Sequence, residues 1–289
     1  MTLAAPALPV PSSSACRTCL PAPGDDDLPV PSGQARTVDV IHIWDTVVSV
    51  ELRLVPAGVD VPAALAAVHA LLADVDATFS VFRPDSLVSA LRRGEHDEER
   101  LLWHPRSHAE RDLAEVISYC RKARVLTNGA FDPWAVPGGF DPSGLVKGWA
   151  AGRSVRLLNQ RGIRHVMVNA GGDIAVTGGA SRLAPWRIGI RDPLDPQRLI
   201  AVVEITDGGV ATSGRYERGN HLHQPVSIPA GQEYAAATAI GPDPALTDAF
   251  ATALAAGGHP AATGVTLLPG YTFLVTDPHN RHHQLPASP

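Results

Sequence analysis

Between Val38 and Val55 the chain reads VDVIHIWDTVVSVELRLV, with β-branched residues set among polar ones, and this predicts one long strand or a hairpin. From Pro62 the period changes. Leu65, Val68, Leu71, Leu72, Val75 and Phe79 fall at helical spacing, and Pro62 suits a first turn. DSLVSALRRG (85–94) opens on an N-cap Asp and closes on Gly, a short helix. SHAERDLAEVISYCRKARVLT (107–127) is amphipathic, with Ser107 and Glu110 at capping-box spacing. The Gly/Pro-rich segment 128–144 reads as a loop, and a helix is predicted from Leu145 to Gln160. After Gly162 the pattern is strand-like at 164–169, 173–177, 186–191, 199–205, 209–213, 234–240 and 271–276, interrupted by one helix from Asp243 to Gly257. Helices first and antiparallel-looking strands later predict an α+β chain.

The ends look different. Residues 1–36 are proline-rich, carry Asp25 to Asp27 in a row and have few large apolar residues. Such a segment reads as a tail, with order expected from near Val38, one domain over 37–280 and a second tail over 281–289. The 289 residues, 45% of them hydrophobic, suffice for a sizeable core. A net charge of −5 and a pI of about 6.2 argue against a nucleic-acid partner. Cys16-Arg-Thr-Cys19 has no second pair downstream, which argues against structural zinc. Ser14-Ala15-Cys16 lacks the basic start and apolar core of a lipoprotein signal, and no stretch reads as a membrane span of ~20 apolar residues. The expectation is a soluble cytoplasmic protein without a transmembrane segment, with export left open.

Five segments concentrate chemistry. In VNAGGDIAV, Gly171-Gly172-Asp173 stands between two strand patterns. No helix N-terminus follows to receive a pyrophosphate, so a hairpin turn is the simpler reading. GAFDPWAVPGGFDPSGLVKG holds two Phe-Asp-Pro copies and a Gly-rich entry to a helix bearing Lys147, either an anion site or an ornate loop. VATSGRYERGNHLHQP packs hydroxyls, arginines and histidines around glycines, as a polar ligand site or an exposed linker. Asp248 and Thr252 lie four apart on one helix face. They could offer oxygens to Mg²⁺, or Asp248 could simply complement the helix dipole. In FSVFRPDS, Phe82 is either a stacking ring or core.

Taken in order, WDTVVSVEL, FSVFRPDS, GAFDP, DPSGLVKGWA, VNAGGDI, GIRDP, ATSGRYER, HLHQP and TDAFATAL resemble the ApbE family over about residues 39 to 276. These are Mg²⁺-dependent flavin transferases that split FAD and attach FMN to a protein Thr or Ser. The resemblance implies a two-lobed α+β fold, T-fold-like, with antiparallel or mixed sheets packed with helices and FAD in the cleft between lobes. It places Trp44, Phe82, Ala130, Phe131, Asp132, Asp141, Lys147, Ser213, Leu222 and His223 at the FAD site. It assigns Mg²⁺ to the Gly144 carbonyl and the side chains of Asp248 and Thr252.

This chain departs from the family pattern at three places. Trp44-Asp45-Thr46 replaces Met-Gly-Thr, Phe82 replaces a Tyr, and Gln224 stands where an Asp is expected, with His223 in place of an aliphatic residue. A Trp still offers a face for the isoalloxazine. The implied reaction transfers FMN to a Thr/Ser hydroxyl of an acceptor protein carrying a flavinylation motif, and releases AMP. Lys147 would stabilise phosphate charge, and His221, of a residue type suited to proton transfer at neutral pH, would serve as general base. The departures keep open two alternatives: a protein that binds FAD without consuming it, and an FAD pyrophosphatase giving FMN and AMP.

Overall fold

In the computed structural model, residues 16–19, 36–214, 232–266 and 268–285 are described. Strand β1 (Cys16–Cys19) comes first and lies inside the segment expected to be a tail; it pairs antiparallel with a strand almost two hundred residues on, a partner no local pattern announces. β2 (Arg36–Ile43) and β3 (Thr46–Arg53) resolve the 38–55 ambiguity as a hairpin. Its two turn residues, Trp44 and Asp45, have φ of 58° and 52°, the left-handed pair that a two-residue type I′ turn demands.

Helix α1 (Val61–Phe79) is capped by Asp60, whose side chain accepts from Ala63 N at 2.9 Å. It is long and apolar enough, at 19 residues and a mean hydropathy of 1.3, to pass a membrane-span test by composition. Its buried positions Ala64, Val68, Leu72, Val75 and Phe79 recur every three to four residues, however, which is the stripe of a helix laid on a core. α2 (Leu87–Arg92) is capped by Ser86 rather than by Asp85, which pairs with Arg83 instead. α3 (Glu98–Trp103) was not predicted; it is a six-residue element capped by Asp97, too short to show a period. In α4 (His108–Leu126), Ser107 caps the Glu110 N–H as the capping box requires. The Glu110 carboxylate binds Arg106 N and Arg100, and these hold it well below the usual carboxylate range, at about 2.

α5 (Ser143–Gln160) leads into β4 (His165–Ala170), β5 (Asp173–Thr177), β6 (Trp186–Arg191), β7 (Leu199–Ile205), β8 (Gly208–Gly214) and β9 (Ala236–Gly241). α6 (Pro244–Val265) runs past the expected stop at Gly257. Gly258, at φ 57°, kinks it, and the second half continues beyond Pro260. β10 (Thr272–Thr276) and β11 (His282–Leu285) form a closing hairpin, so the segment from 281, expected to be a tail, supplies the edge strand instead.

Eight strands pair antiparallel in the order β11-β10-β9-β8-β5-β4-β3-β2, and β1-β7-β6 make a second, three-stranded sheet. The large sheet alternates strictly. Ala175, Ala211, Ala239 and Phe273 face the helices. Their neighbours Val176, Val210, Ile240 and Leu274 face the small sheet, where they pack on Trp186, Ile188, Val203 and Ile205. Helices, large sheet and small sheet thus form three layers around two hydrophobic clusters, an α+β architecture as the sequence implied.

Candidate functional site

Register brings two hairpin turns and one strand end to the same end of the large sheet. Ala170 pairs with Val48 on β3 and with Asp173 on β5, so the β2–β3 turn lies beside Gly171-Gly172. Ile174 pairs with Val210, so the end of β8, Thr212 to Gly214, runs out on the same side. Gly171 donates its N–H to Val47 O at 3.1 Å, and at φ 64° a Cβ there would sit 2.6 Å from Thr46 Oγ1. Gly172 N–H is taken by Asn169 Oδ1 at 2.8 Å. The Gly-Gly-Asp is therefore a tight hairpin turn, and its chemical contribution is Asp173.

Asp173 is buried and forms an ion pair with Lys147, reaching over from the first turns of α5. On the other side of α5 lies α6, pressed against it at glycines. A Cβ on Gly148 would stand 2.2 Å from Pro244 O and 2.8 Å from Asp248 Cβ. That approach lets Gly148 N–H donate to Asp248 Oδ2 at 3.0 Å. Gly144, with φ −81° and ψ 16°, leaves helical geometry, and its carbonyl accepts from Thr252 Oγ1 at 3.3 Å. Ser213 Oγ of β8 is 3.2 Å from the same Thr252 hydroxyl.

Asp248 is 1% exposed. Burial, and then the charge of Asp173, push its carboxyl up to about 7; Lys147 and the Gly148 N–H pull the other way. Among the described residues, two carboxyl groups and one ammonium thus meet in this corner. The neutral groups around it are a threonine and a serine hydroxyl and a backbone carbonyl. Among the described residues no cluster of three His, Cys, Asp or Glu side chains is poised for a metal. The set is oxygen-only and suits a hard cation such as Mg²⁺, which would relieve the charge that raises Asp248.

The remaining sequence candidates sort by place. Ala130 and Phe131 are buried; Phe131 lies behind Gly144, its Cε2 3.3 Å from where a Cβ there would be, and its N–H is held by Thr127 Oγ1 at 3.0 Å. Asp132 caps Trp134 N at 3.1 Å and pairs with Arg124 at 2.8 Å. Asp141 accepts from Ser143 N at 3.0 Å and so starts α5. Trp44 packs partly buried at its turn, next to Thr46 and the Gly171 contact. Phe82 lies between α1 and α2 at 90% exposure, a bare ring rather than core. His221, Leu222, His223 and Gln224 lie outside the described residues. The structure therefore gathers Gly144, Ser213 and Thr252 around one hydroxyl, with Asp248 one turn before Thr252 on α6 and Lys147 paired to Asp173, whose charge reaches Asp248.

An antiparallel α+β frame with an oxygen-lined, cation-compatible corner between two helices and a sheet end defines the class of site. The chain belongs to the ApbE family, whose model it matches over residues 44–138 and 137–268. It is 31% identical over 124 residues to the FAD:protein FMN transferase of Salmonella typhimurium and 32% identical over 124 residues to that of Escherichia coli K12. Each match covers 39% of this chain and 35% of the relative, so the matched stretch spans about a third of the length of these curated relatives. The fold is shared over more of the chain. The flavin transferase ApbE from Vibrio cholerae superposes with a TM-score of 0.72 at 19% identity, over 89% of this chain and 98% of that one. The apo flavinyl transferase ApbE of Pseudomonas stutzeri gives 0.69 at 19% identity, over 87% and 95%.

Proposed function

We propose that the protein is a Mg²⁺-dependent FAD:protein FMN transferase. The observation that carries this reading is the buried Asp248, charged against Asp173 and lined by hydroxyl and carbonyl oxygens, beside a lysine suited to phosphate. The names of its relatives support the same reaction.

Asp248, Thr252 and the Gly144 carbonyl would hold Mg²⁺, which supplies charge neutralisation at the pyrophosphate and at the leaving oxygen. Lys147, held in place by Asp173, sets an ammonium near the same phosphates and favours the charge that builds there as the bond breaks. Ser213, braced on Thr252, adds a hydroxyl donor from the sheet side. The exposed Phe82 ring and the Trp44 indole offer aromatic surface to the isoalloxazine. The acceptor Thr or Ser hydroxyl oxygen attacks the phosphorus on the FMN side. The phosphoanhydride bond breaks, AMP leaves, and His221 takes the hydroxyl proton.

The test is incubation of the full chain with FAD, Mg²⁺ and a candidate acceptor, with the acceptor's intact mass and released AMP read together. An acceptor heavier by one esterified FMN, with equivalent AMP, supports the transferase. AMP and free FMN without a mass gain identify an FAD pyrophosphatase. FAD bound but intact identifies a flavin-binding protein, and both of these outcomes overturn the transferase reading.

A further inference from the structure

The loop from Ala130 to Pro142 crosses the helical face and delivers the chain to the first turn of α5. Its near end is tied by Arg124 to Asp132 at 2.8 Å. Its far end closes around a single side chain, Arg92, the last residue of α2. Arg92 Nε donates to Gly138 O at 2.9 Å and Nη2 donates to Pro137 O at 3.0 Å. Its Nη1 stands 4.0 Å from Asp141 Oδ2. The loop is shaped to this guanidinium: Gly138 and Gly139 both have positive φ, 87° and 93°, and a Cβ on Gly138 would overlap Arg92 Nη2 at 2.2 Å. The planar fork of an arginine fits two successive carbonyls and a carboxylate, which a lysine cannot do at once.

Asp141, whose N–H is held by Pro133 O at 2.9 Å, stands at ion-pair range of this guanidinium, and what Asp141 holds is the start of α5. Its Oδ1 accepts from Ser143 N at 3.0 Å and from Ser143 Oγ at 2.5 Å. The next residue is Gly144, whose carbonyl meets Thr252, and three further on stands Lys147. We infer that Arg92 is a positioning residue for the cation–phosphate corner. Through the 137–141 loop and Asp141 it fixes where the Gly144 carbonyl and the first turn of α5 lie, and so sets Mg²⁺ affinity without touching the metal. The inference rests on the metal reading given above.

Outer partners that orient metal ligands typically contribute about ten- to a hundredfold in metal affinity. The test compares wild type, Arg92→Ala and Arg92→Lys as full chains, first for a cooperative melt in metal-free buffer, then for the Mg²⁺ concentration that half-saturates the thermal shift and FAD binding by flavin fluorescence. Arg92→Ala is expected to raise that concentration at least tenfold while kcat at saturating Mg²⁺ falls far less. Arg92→Lys should lie between. Added guanidinium should restore Arg92→Ala and leave Arg92→Lys unchanged. A folded Arg92→Ala with wild-type Mg²⁺ dependence overturns the inference, as does a loss that follows the drop in melting temperature and ignores guanidinium. Should Arg92→Ala fail to fold, Arg92→Lys decides alone, and a wild-type Mg²⁺ response in it is the refuting result. A wild type with no Mg²⁺ response sinks the metal reading and this inference together, whereas a responsive wild type beside an indifferent Arg92 variant sinks only the latter.

Discussion

Replacing Asp248 by Asn tests whether this corner is built for a cation. Asp248 is buried, and its carboxyl is raised from 3.8 to about 7, first by burial and then by Asp173. A raised carboxylate reverses the usual sign. The folded state binds the proton more tightly than the unfolded state, so wild-type stability rises as pH falls through about 7 and levels off below the unfolded value of 3.8. Above pH 7 the folded protein carries a buried carboxylate that Lys147 and the Gly148 N–H stabilise only in part, and a cation beside it would offset the rest. Asn has no such dependence and can still accept from Gly148 N. From pH 8 to pH 5 the wild type should therefore gain on Asp248→Asn by about two pKa units' worth, or about 3 kcal/mol in metal-free buffer. For a domain this size that corresponds to a relative shift of roughly 6–12 °C in melting temperature. The assay is a pair of thermal melts with chelator at the two pH values, followed by melts at pH 8 with Mg²⁺. Mg²⁺ should raise the wild-type melting temperature at pH 8, raise it less at pH 5 where a proton competes, and leave Asp248→Asn unmoved. A stability gap that stays constant between pH 8 and pH 5, or a variant that still responds to Mg²⁺, refutes the reasoning.

Phe82→Ala should leave the melting temperature nearly unchanged, within about 0.5 kcal/mol because the ring is 90% exposed, yet weaken FAD binding several-fold, read by flavin fluorescence. Gly171→Val places a β-branched residue at φ 64° against Thr46 Oγ1, and denaturant melts should show a loss of about 2 kcal/mol or more together with weaker FAD binding. Asp45→Gly relieves the second left-handed position of the β2–β3 turn and should stabilise the chain by about 1 kcal/mol in the same melts.

Runs of strand-like texture were legible: β6 and β7 begin and end where the sequence placed them, at Trp186–Arg191 and Leu199–Ile205, and β6 alternates buried with exposed residues throughout. Elements that exist because of a distant partner were not legible. β1 is four residues in a proline-rich stretch, made a strand by pairing with β7. β11 is made one by β10. α6 reads as ending at Gly257, but the helix resumes beyond the kink at Gly258, and its Ala261, Ala262 and Val265 are buried in the core. Asp248 and Thr252 were visible as a pair by their i, i+4 spacing. Gly144 was not, because a glycine carbonyl leaves no chemical mark in a sequence; only the resemblance supplied it. The link from Asp173 to Lys147 needed the knowledge that α5 lies across β5, and Arg92 acts on carbonyls more than forty residues away.

The same glycines explain why the corner exists at all. Two helices with ordinary side chains pack with axes 8–10 Å apart, too far for the backbone of one to bond side chains near the axis of the other. Gly148 removes that barrier and brings its N–H onto Asp248, and Gly144 brings its carbonyl onto Thr252. Under the same helix Gly209 lets β8 approach Pro244, where a Cβ would be 2.7 Å from Pro244 Cα. The polar groups of the corner are thus partly main chain, and glycine is what exposes them to one another. A Cβ at Gly148 has to displace Pro244 O, a backbone atom, and with it the turn of α6 that carries Asp248. Its effect must therefore appear in the charge balance of the site as well as in packing. Gly148→Ala should weaken the Mg²⁺ response more than a core substitution of equal cost in stability.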